Sequence, residues 1–308
     1  MNIKKDNIYN DSDYIQYQKE YFRNSKFTEI VFKGLDDFDN KINFNITIQE
    51  DKNEKILNFY NNPIDLDNIG LSLSSYNNII HEIKKIISEQ NIKSIAFKKE
   101  INEKILEELL KKNKNNIDFL GIESTINLNK DLHSIQKNFS KGHRSALKID
   151  YKNLKYELFD FKNYQKEQIF EMMNLHEKVS GKKTRSNETW KINENMIISK
   201  KGFLIKVSDN TRLISYAFIF FNKNNAIYFS SCTLRDTFKL YKNITHKIIW
   251  ESIKYLKDIG CEKFFLGNTK SIYSKNEVDK KNKNIDLFKS SFGGDPSIFV
   301  IYNNISDF

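Results

Sequence analysis

The first 26 residues are mostly polar, with Tyr14, Tyr17, Tyr21 and Phe22 recurring at helical spacing, a pattern that predicts an amphipathic helix docked on a larger body. Strict alternation in Ile42-Asn43-Phe44-Asn45-Ile46-Thr47-Ile48 predicts a half-buried strand, and Asp51-Lys52-Asn53 the turn after it. From Asn78 the apolar positions Ile79, Ile80, Ile83, Ile86 and Ile87 mark one face of a helix, and Ile92 to Phe97 then read as a buried strand. Residues 100 to 114 repeat the helical pattern through Ile101, Ile105, Leu106, Leu109 and Leu110, and Ile117 to Leu128 reads as the next strand. Between the halves, Asn129 to Tyr151 predicts a basic helix, Leu154 to Phe161 a strand, and Ile169, Met172, Met173 and His176 the inner side of a further helix.

The second half follows the same plan. Gly202 to Val207 and Leu213 to Phe221 predict a hairpin joined through Asp209-Asn210, with Ala226 to Thr233 as a third strand. Asn243 or Thr245 can cap the next helix. Ile244, Ile248, Ile249, Ile253 and Leu256 line its buried face, and Gly260 ends it before the strand Lys263 to Leu266. This helix, short turn and strand match Asn78 to Phe97, so the pattern predicts a duplicated α/β unit with mixed sheets, divided into residues 1–140 and 141–308.

Composition narrows the class. With 308 residues, 39% of them hydrophobic and 13% aromatic, the chain can fill well-packed cores. No run approaches the length of a membrane helix, and Met1-Asn2-Ile3-Lys4-Lys5-Asp6 lacks an apolar signal core, so a cytoplasmic protein without a transmembrane segment is expected. Two cysteines and five histidines give no disulfide framework, and no metal is expected. A net charge of +10 admits an anionic partner such as tRNA, a glycan or a peripheral membrane surface, but lysine is spread along the whole chain, and only clustering would distinguish a binding face from a solvated one.

Candidate chemistry concentrates near the C-terminus. Cys261-Glu262-Lys263-Phe264-Phe265-Leu266-Gly267-Asn268 is a short apolar strand ending in Gly-Asn, where glycine lets a ligand approach the main chain. In Phe288-Lys289-Ser290-Ser291-Phe292-Gly293-Gly294, the two phenylalanines at i, i+4 anchor a turn and leave Lys289 for an anionic group. The polar segment between Asn268 and Ile285 is expected to cover the opening as a mobile lid. Gly267→Val is accordingly expected to block the site, with the fold surviving if the backbone angles there are β-like.

Four pieces together carry a family resemblance: Lys141-Gly142-His143-Arg144-Ser145-Ala146-Leu147-Lys148; a helix over Leu175 to Lys183 with Arg185 beyond; Tyr228 to Gly267; and Phe288 to Gly294. In this order they resemble the FemAB-type acyltransferases, whose two halves are each built like a GNAT N-acetyltransferase domain, over residues 30 to 300. The resemblance implies two tandem GNAT-like units and transfer of an acyl or aminoacyl group to an amine on a cell-envelope or carbohydrate precursor. It also implies that Ile227 to Thr233 and Lys263 to Gly267 splay apart, so that free backbone N–H groups hold the donor's carbonyl. Ordinary GNAT enzymes carry a glycine-rich pyrophosphate loop before the central helix. Residues 235 to 243 contain no glycine, so the donor stays open between acyl-coenzyme A and aminoacyl-tRNA. A non-catalytic module binding an anionic glycan or RNA is the rival reading.

The candidate residues follow. Asp236, at the mouth of the third strand, is a candidate base, although aspartate in such a loop more often caps a turn. His246, at the start of a helix, either faces the cleft or packs on the core. Arg144, Arg185 and Arg235 stand out because arginine is scarce beside lysine here, and guanidinium suits phosphate; with Gly267, Asn268 and Lys289 they make the expected substrate-binding set. His143 joins Arg144 as a possible anion ligand, His81 occupies the comparable first-half helix, and His176 reads as core. Cys232 follows Ser230-Ser231; an acyl-cysteine is conceivable there, but a buried structural thiol is the commoner case.

Overall fold

The computed structural model describes residues 11–21, 26–35, 41–51, 54–59, 72–99, 117–274 and 280–303. After α1 (Ser12–Tyr21), the strands β1 (Lys26–Leu35), β2 (Lys41–Asp51) and β3 (Glu54–Phe59) form an antiparallel meander. The helix α2 (Leu73–Glu89) then carries the chain back, so that β4 (Ser94–Lys99) lies parallel to β3, and β5 (Ile117–Asn127) follows. The helix expected over residues 100–114 lies outside the described residues. A connecting region holds α3 (Leu132–Lys137), α4 (Lys141–Leu147), β6 (Lys155–Phe159), α5 (Lys166–Ser180) and α6 (Asn187–Ile198). Next, β7 (Gly202–Ser208), β8 (Leu213–Phe221) and β9 (Asn225–Thr233) form a second meander, α7 (Ile244–Asp258) crosses back, and β10 (Lys263–Ser274) runs parallel to β9. The chain ends in α8 (Lys280–Ser290) and β11 (Asp295–Asn303).

The two meander–helix–parallel-strand runs are the duplicated α/β plan, and their strands join in one sheet ordered β1-β2-β3-β4-β11-β5-β10-β9-β8-β7-β6. The final strand of each run is exchanged. β11 inserts between β4 and β5, and β5 separates β11 from β10, all antiparallel.

The second meander is apolar almost without interruption because both of its faces are covered. Phe203, Ile205, Val207, Ala217 and Ile219 belong to the core beneath α7, together with Ile244, Ile248, Ile249, Ile253 and Leu256. The alternate positions Leu204, Tyr216, Phe218 and Phe220 pack on the other side against Ile169 and Met172 of α5 and Trp190 and Met196 of α6. Each such side chain contributes about 1.5–3 kcal/mol by leaving water. That second layer also receives α1. Tyr17 is buried there, and Lys201 holds the start of α1 through Asp11 and Asp13 at 3.0 and 2.7 Å.

Several local expectations change. The basic helix expected over 129–151 is two short ones, because Asp131 and Ser140 each cap a new start, accepting from the amides of Ser134 (2.9 Å) and His143 (3.3 Å). The helix expected to reach Lys183 stops at Ser180, where Gly181 takes φ 71°. Helix α6 was not foreseen; Ser186 caps it by accepting from Thr189 N at 3.1 Å. Asn243 stands at the cap position of α7 but spends its amide elsewhere, donating to the carbonyls of Ala146 and Ile149 at 2.8 Å each, which ties α7 to the end of α4. The expected lid between Asn268 and Ile285 is largely regular structure, with residues 268–274 continuing β10 and Ile285 lying within α8. Among the described residues no helix is long and apolar enough to cross a membrane.

Candidate active site

The strands β9 and β10 pair over only three positions, Asn225 with Lys263, Ala226 with Phe264 and Ile227 with Phe265, and then part. Beyond that point β10 follows β5, with register shifts on both sides of Asn268. Gly267 sits in the first shift with φ +77°, a conformation that L side chains avoid, so it is glycine that lets the strand leave its neighbour here. A cavity of about 1120 Å³ lies against the parted edge, walled by Tyr228 to Thr233 of β9, by Thr245 and His246 at the start of α7, and by α8. Tyr21 of α1 and the end of α5 complete the wall.

The charge on this wall is one-sided. Arg185, Arg235, Lys242, Lys280, Lys281 and Lys289 line the cavity, and no Asp or Glu is among the described residues that do. Arg185 is half-buried. Its guanidinium donates to Ser230 Oγ at 2.7 Å and lies 5.1 Å from the ring centre of Trp190 and 5.6 Å from that of Tyr21, while its buried Nε has no partner. Lys289 reaches from α8 to β10, its Nζ 3.1 Å from where a Cβ on Gly267 would stand. Burial pulls its ammonium below the ordinary lysine value, against the opposing carboxylates of Asp286 and Glu123. His246 is pulled down to about 4 by burial and by neighbouring His143, and its buried Nδ1 has no partner. His176, also on the wall, is pulled down to about 4 by burial and by Arg185. Both imidazoles are therefore neutral near pH 7.

Of the residues singled out from sequence, Arg185, Arg235, His246 and Lys289 come together on this wall. Gly267 lies beneath Lys289 but is not among the described residues that line the cavity, and Asn268 follows in the same irregular stretch of β10, opposite Glu123. Arg144 and Asp236 do not line the cavity. Arg144 turns back on its own segment, donating to the carbonyls of Lys137 and Phe139 at the end of α3. Asp236 pairs with Arg212 at 2.8 Å, which holds its carboxyl below the usual range and makes it a weak base. Cys232 is buried and its thiol is pushed up to about 12 by burial, which argues against an acyl-cysteine. The expectation for Gly267→Val also changes, since a β-branched residue at φ +77° strains the backbone itself.

Sequence reasoning missed Tyr21, Trp190 and Ser230, which hold Arg185, because they come from three separate elements. The loop without glycine, Arg235 to Lys239, is a 3₁₀ turn. The amides of Thr237, Leu240 and Tyr241 are engaged within it, at 3.2, 3.0 and 2.8 Å from the carbonyls of Leu234, Thr237 and Thr237. Among the described residues no group of His, Cys, Asp and Glu is arranged to hold a metal ion.

No protein-family model matches the chain, and no curated protein matches its sequence. Solved structures do match its shape. A FemX crystal structure aligns over 96% of this chain and 89% of its own with a TM-score of 0.60 at 11% identity. The fold is FemX-like. L-PGS from Bacillus licheniformis aligns over 99% of this chain and 94% of its own, with a TM-score of 0.55 at 11% identity. The C-terminal domain of a putative lysylphosphatidylglycerol synthetase from Agrobacterium fabrum covers 99% of this chain and 90% of its own, with a TM-score of 0.52 at 11% identity. The parted strands β9 and β10 belong to the single sheet in which the strands of both halves join, with Lys289 of α8 set against Gly267 of β10.

Proposed function

We propose that the chain is an acyltransferase of the aminoacyl type, moving a carboxylic acyl group from a phosphate-bearing donor to an amine on a cell-envelope or carbohydrate precursor. The observation that carries this reading is the parting of β9 and β10 beneath Lys289, beside a cavity with six basic side chains and no acidic one among the described lining residues. The donor's carbonyl would lie at the parted edge, where Lys289 can stabilise the oxyanion of the tetrahedral intermediate. Collapse of that intermediate breaks the ester or thioester bond and leaves an amide, and the amine's surplus proton passes to the departing group. A cationic cavity also lowers the pKa of an incoming amine, so that it arrives neutral and needs little help from a base.

Arg185 donates to a neutral hydroxyl and keeps its Nε unpartnered, which suits it to hold a phosphate of donor or acceptor. The segment has no glycine, and the amides of Thr237, Leu240 and Tyr241 are engaged with carbonyls of their own turn rather than offered to a coenzyme A pyrophosphate, which favours an aminoacyl-tRNA ester as donor. The rim suits an anionic surface such as a membrane or RNA, with exposed Phe238, Leu240 and Ile285 beside Lys239, Lys242 and Lys281.

The test offers the purified protein radiolabelled aminoacyl-tRNA or labelled acetyl-coenzyme A, each with a lysine-containing cell-envelope peptide precursor. Label in an amide product, lost by roughly a hundredfold in Lys289→Met, is the expected result. Tight binding of tRNA with no transfer from either donor would replace this reading with that of a binding module.

A further inference from the structure

One cluster beside the cavity joins α4 to α8 and is not used by the chemistry above. His143, in α4, is buried. Its ring packs edge-on against His246 at 4.3 Å and Phe292 at 4.4 Å, and lies 5.3 Å from Phe288. Its Nε2 stands 3.0 Å from the backbone oxygen of Phe288. A carbonyl can only accept, so Nε2 carries the proton and donates. The Phe288 carbonyl lies at a helix end. Phe292 N donates to the Lys289 carbonyl at 3.1 Å, so α8 tightens there and the oxygen of Phe288 is left for a donor from outside the helix. His143 supplies it, and the next residue along the chain is Lys289.

We infer that His143 is the positioning residue for Lys289: its bond to the Phe288 carbonyl, backed by the stack on His246 and Phe292, fixes the last turn of α8 so that the lysine stays over Gly267. Three elements thus meet behind one ammonium, α4 through His143, α7 through His246 and α8 through the phenylalanines. The charged groups acting on Lys289 are Asp286 from its own helix and Glu123 from β5. His143 acts on the backbone next to Lys289 and makes no bond to the ammonium itself.

The inference rests on Lys289 being the site lysine, but its test needs no substrate and stands apart from the transferase assay. Competitive labelling with acetic anhydride across a pH series, read peptide by peptide in the full chain, gives the titration of Lys289. Lys257, whose Nζ donates to the Leu128 carbonyl at 2.9 Å, serves as the internal reference. His143→Phe keeps a stacking ring and removes the donor; Lys289 is expected to swing toward water and its titration midpoint to rise by roughly half a pH unit or more, with Lys257 unchanged. His143→Gln restores a donor to the carbonyl and is expected to return the midpoint to its wild-type place. An unchanged Lys289 in His143→Phe, or a Gln variant that behaves like the Phe variant, would overturn the assignment. Loss of folding in both variants would overturn it as well, by making His143 a residue the core requires rather than one that sets the lysine.

Discussion

Arg185 and Arg144 show how one residue type serves two ends. Arg185 is half-buried against Trp190 and Tyr21 and donates to the neutral hydroxyl of Ser230, leaving charge to spare for a ligand. Arg144 spends its guanidinium on two carbonyls of its own segment. If the donor is the aminoacyl-tRNA proposed above, Arg185→Met is expected to weaken tRNA binding, measured by filter retention at fixed salt, by roughly tenfold to a hundredfold, the size of one charge-assisted contact. Arg144→Ala is expected to leave that affinity unchanged and to lower urea stability by about 1–3 kcal/mol. The histidines on the wall make a second prediction. His176 and His246 both titrate near 4 in the fold against 6.5 unfolded, so the unfolded chain binds more protons between those values. Their contribution to stability is complete above pH 6.5 and is lost as pH falls toward 4. In the double variant His176→Gln, His246→Gln, the difference in urea stability between pH 7 and pH 5 should shrink relative to wild type; an equal difference would show that other groups set it. The scarcity of arginine already pointed to Arg185 and Arg235, but the same signal pointed to Arg144, and only the bonds each one makes separate them.

At the scale of elements, glycines decide where strands and helices may go. Gly294, between α8 and β11, has φ +104°, and a Cβ there would stand 2.7 Å from the Thr125 carbonyl oxygen. Gly181, ending α5, has φ +71° with open space around it. Gly181→Ala is expected to cost roughly 1–2 kcal/mol from handedness alone, and Gly294→Ala an additional 1–3 kcal/mol or so, because backbone has to move. Calorimetry that finds the two variants equally stable would mean that the Gly294 joint yields easily. The helix-to-strand units ending at β4 and β10 could be read directly, since isoleucine spacing records which face is buried. Helix α6 could not, because its start depends on the Ser186 cap and its buried face mixes Thr189, Trp190, Ile192, Asn193 and Met196 in a pattern that is weak by period alone. The stretch 268–274 looked like a loop because its polar residues give no apolar alternation, yet it is held as strand by pairing with β5.

At the scale of the molecule, exchange of the last strands makes the two halves interdependent. Removing β11 would leave facing edges of β4 and β5 without partners at the middle of the sheet. A chain ending at residue 294 is therefore expected to lose the native fold of both halves together, and the full chain to melt in one calorimetric transition; a truncated chain that keeps a native second half would contradict this. The sequence by itself determined the composition of both cores, the duplicated order of helices and strands, and the identity of the cationic and glycine positions near the C-terminus, because periodicity and special backbone requirements are local properties written residue by residue. Tertiary structure alone decided that β11 returns to lie beside β4, that Tyr21 and Ser230 converge on Arg185, and that His143 stands behind Lys289. Those are meetings between segments more than a hundred residues apart, or between elements whose mutual approach is set by packing of the whole sheet, and no short-range pattern carries them.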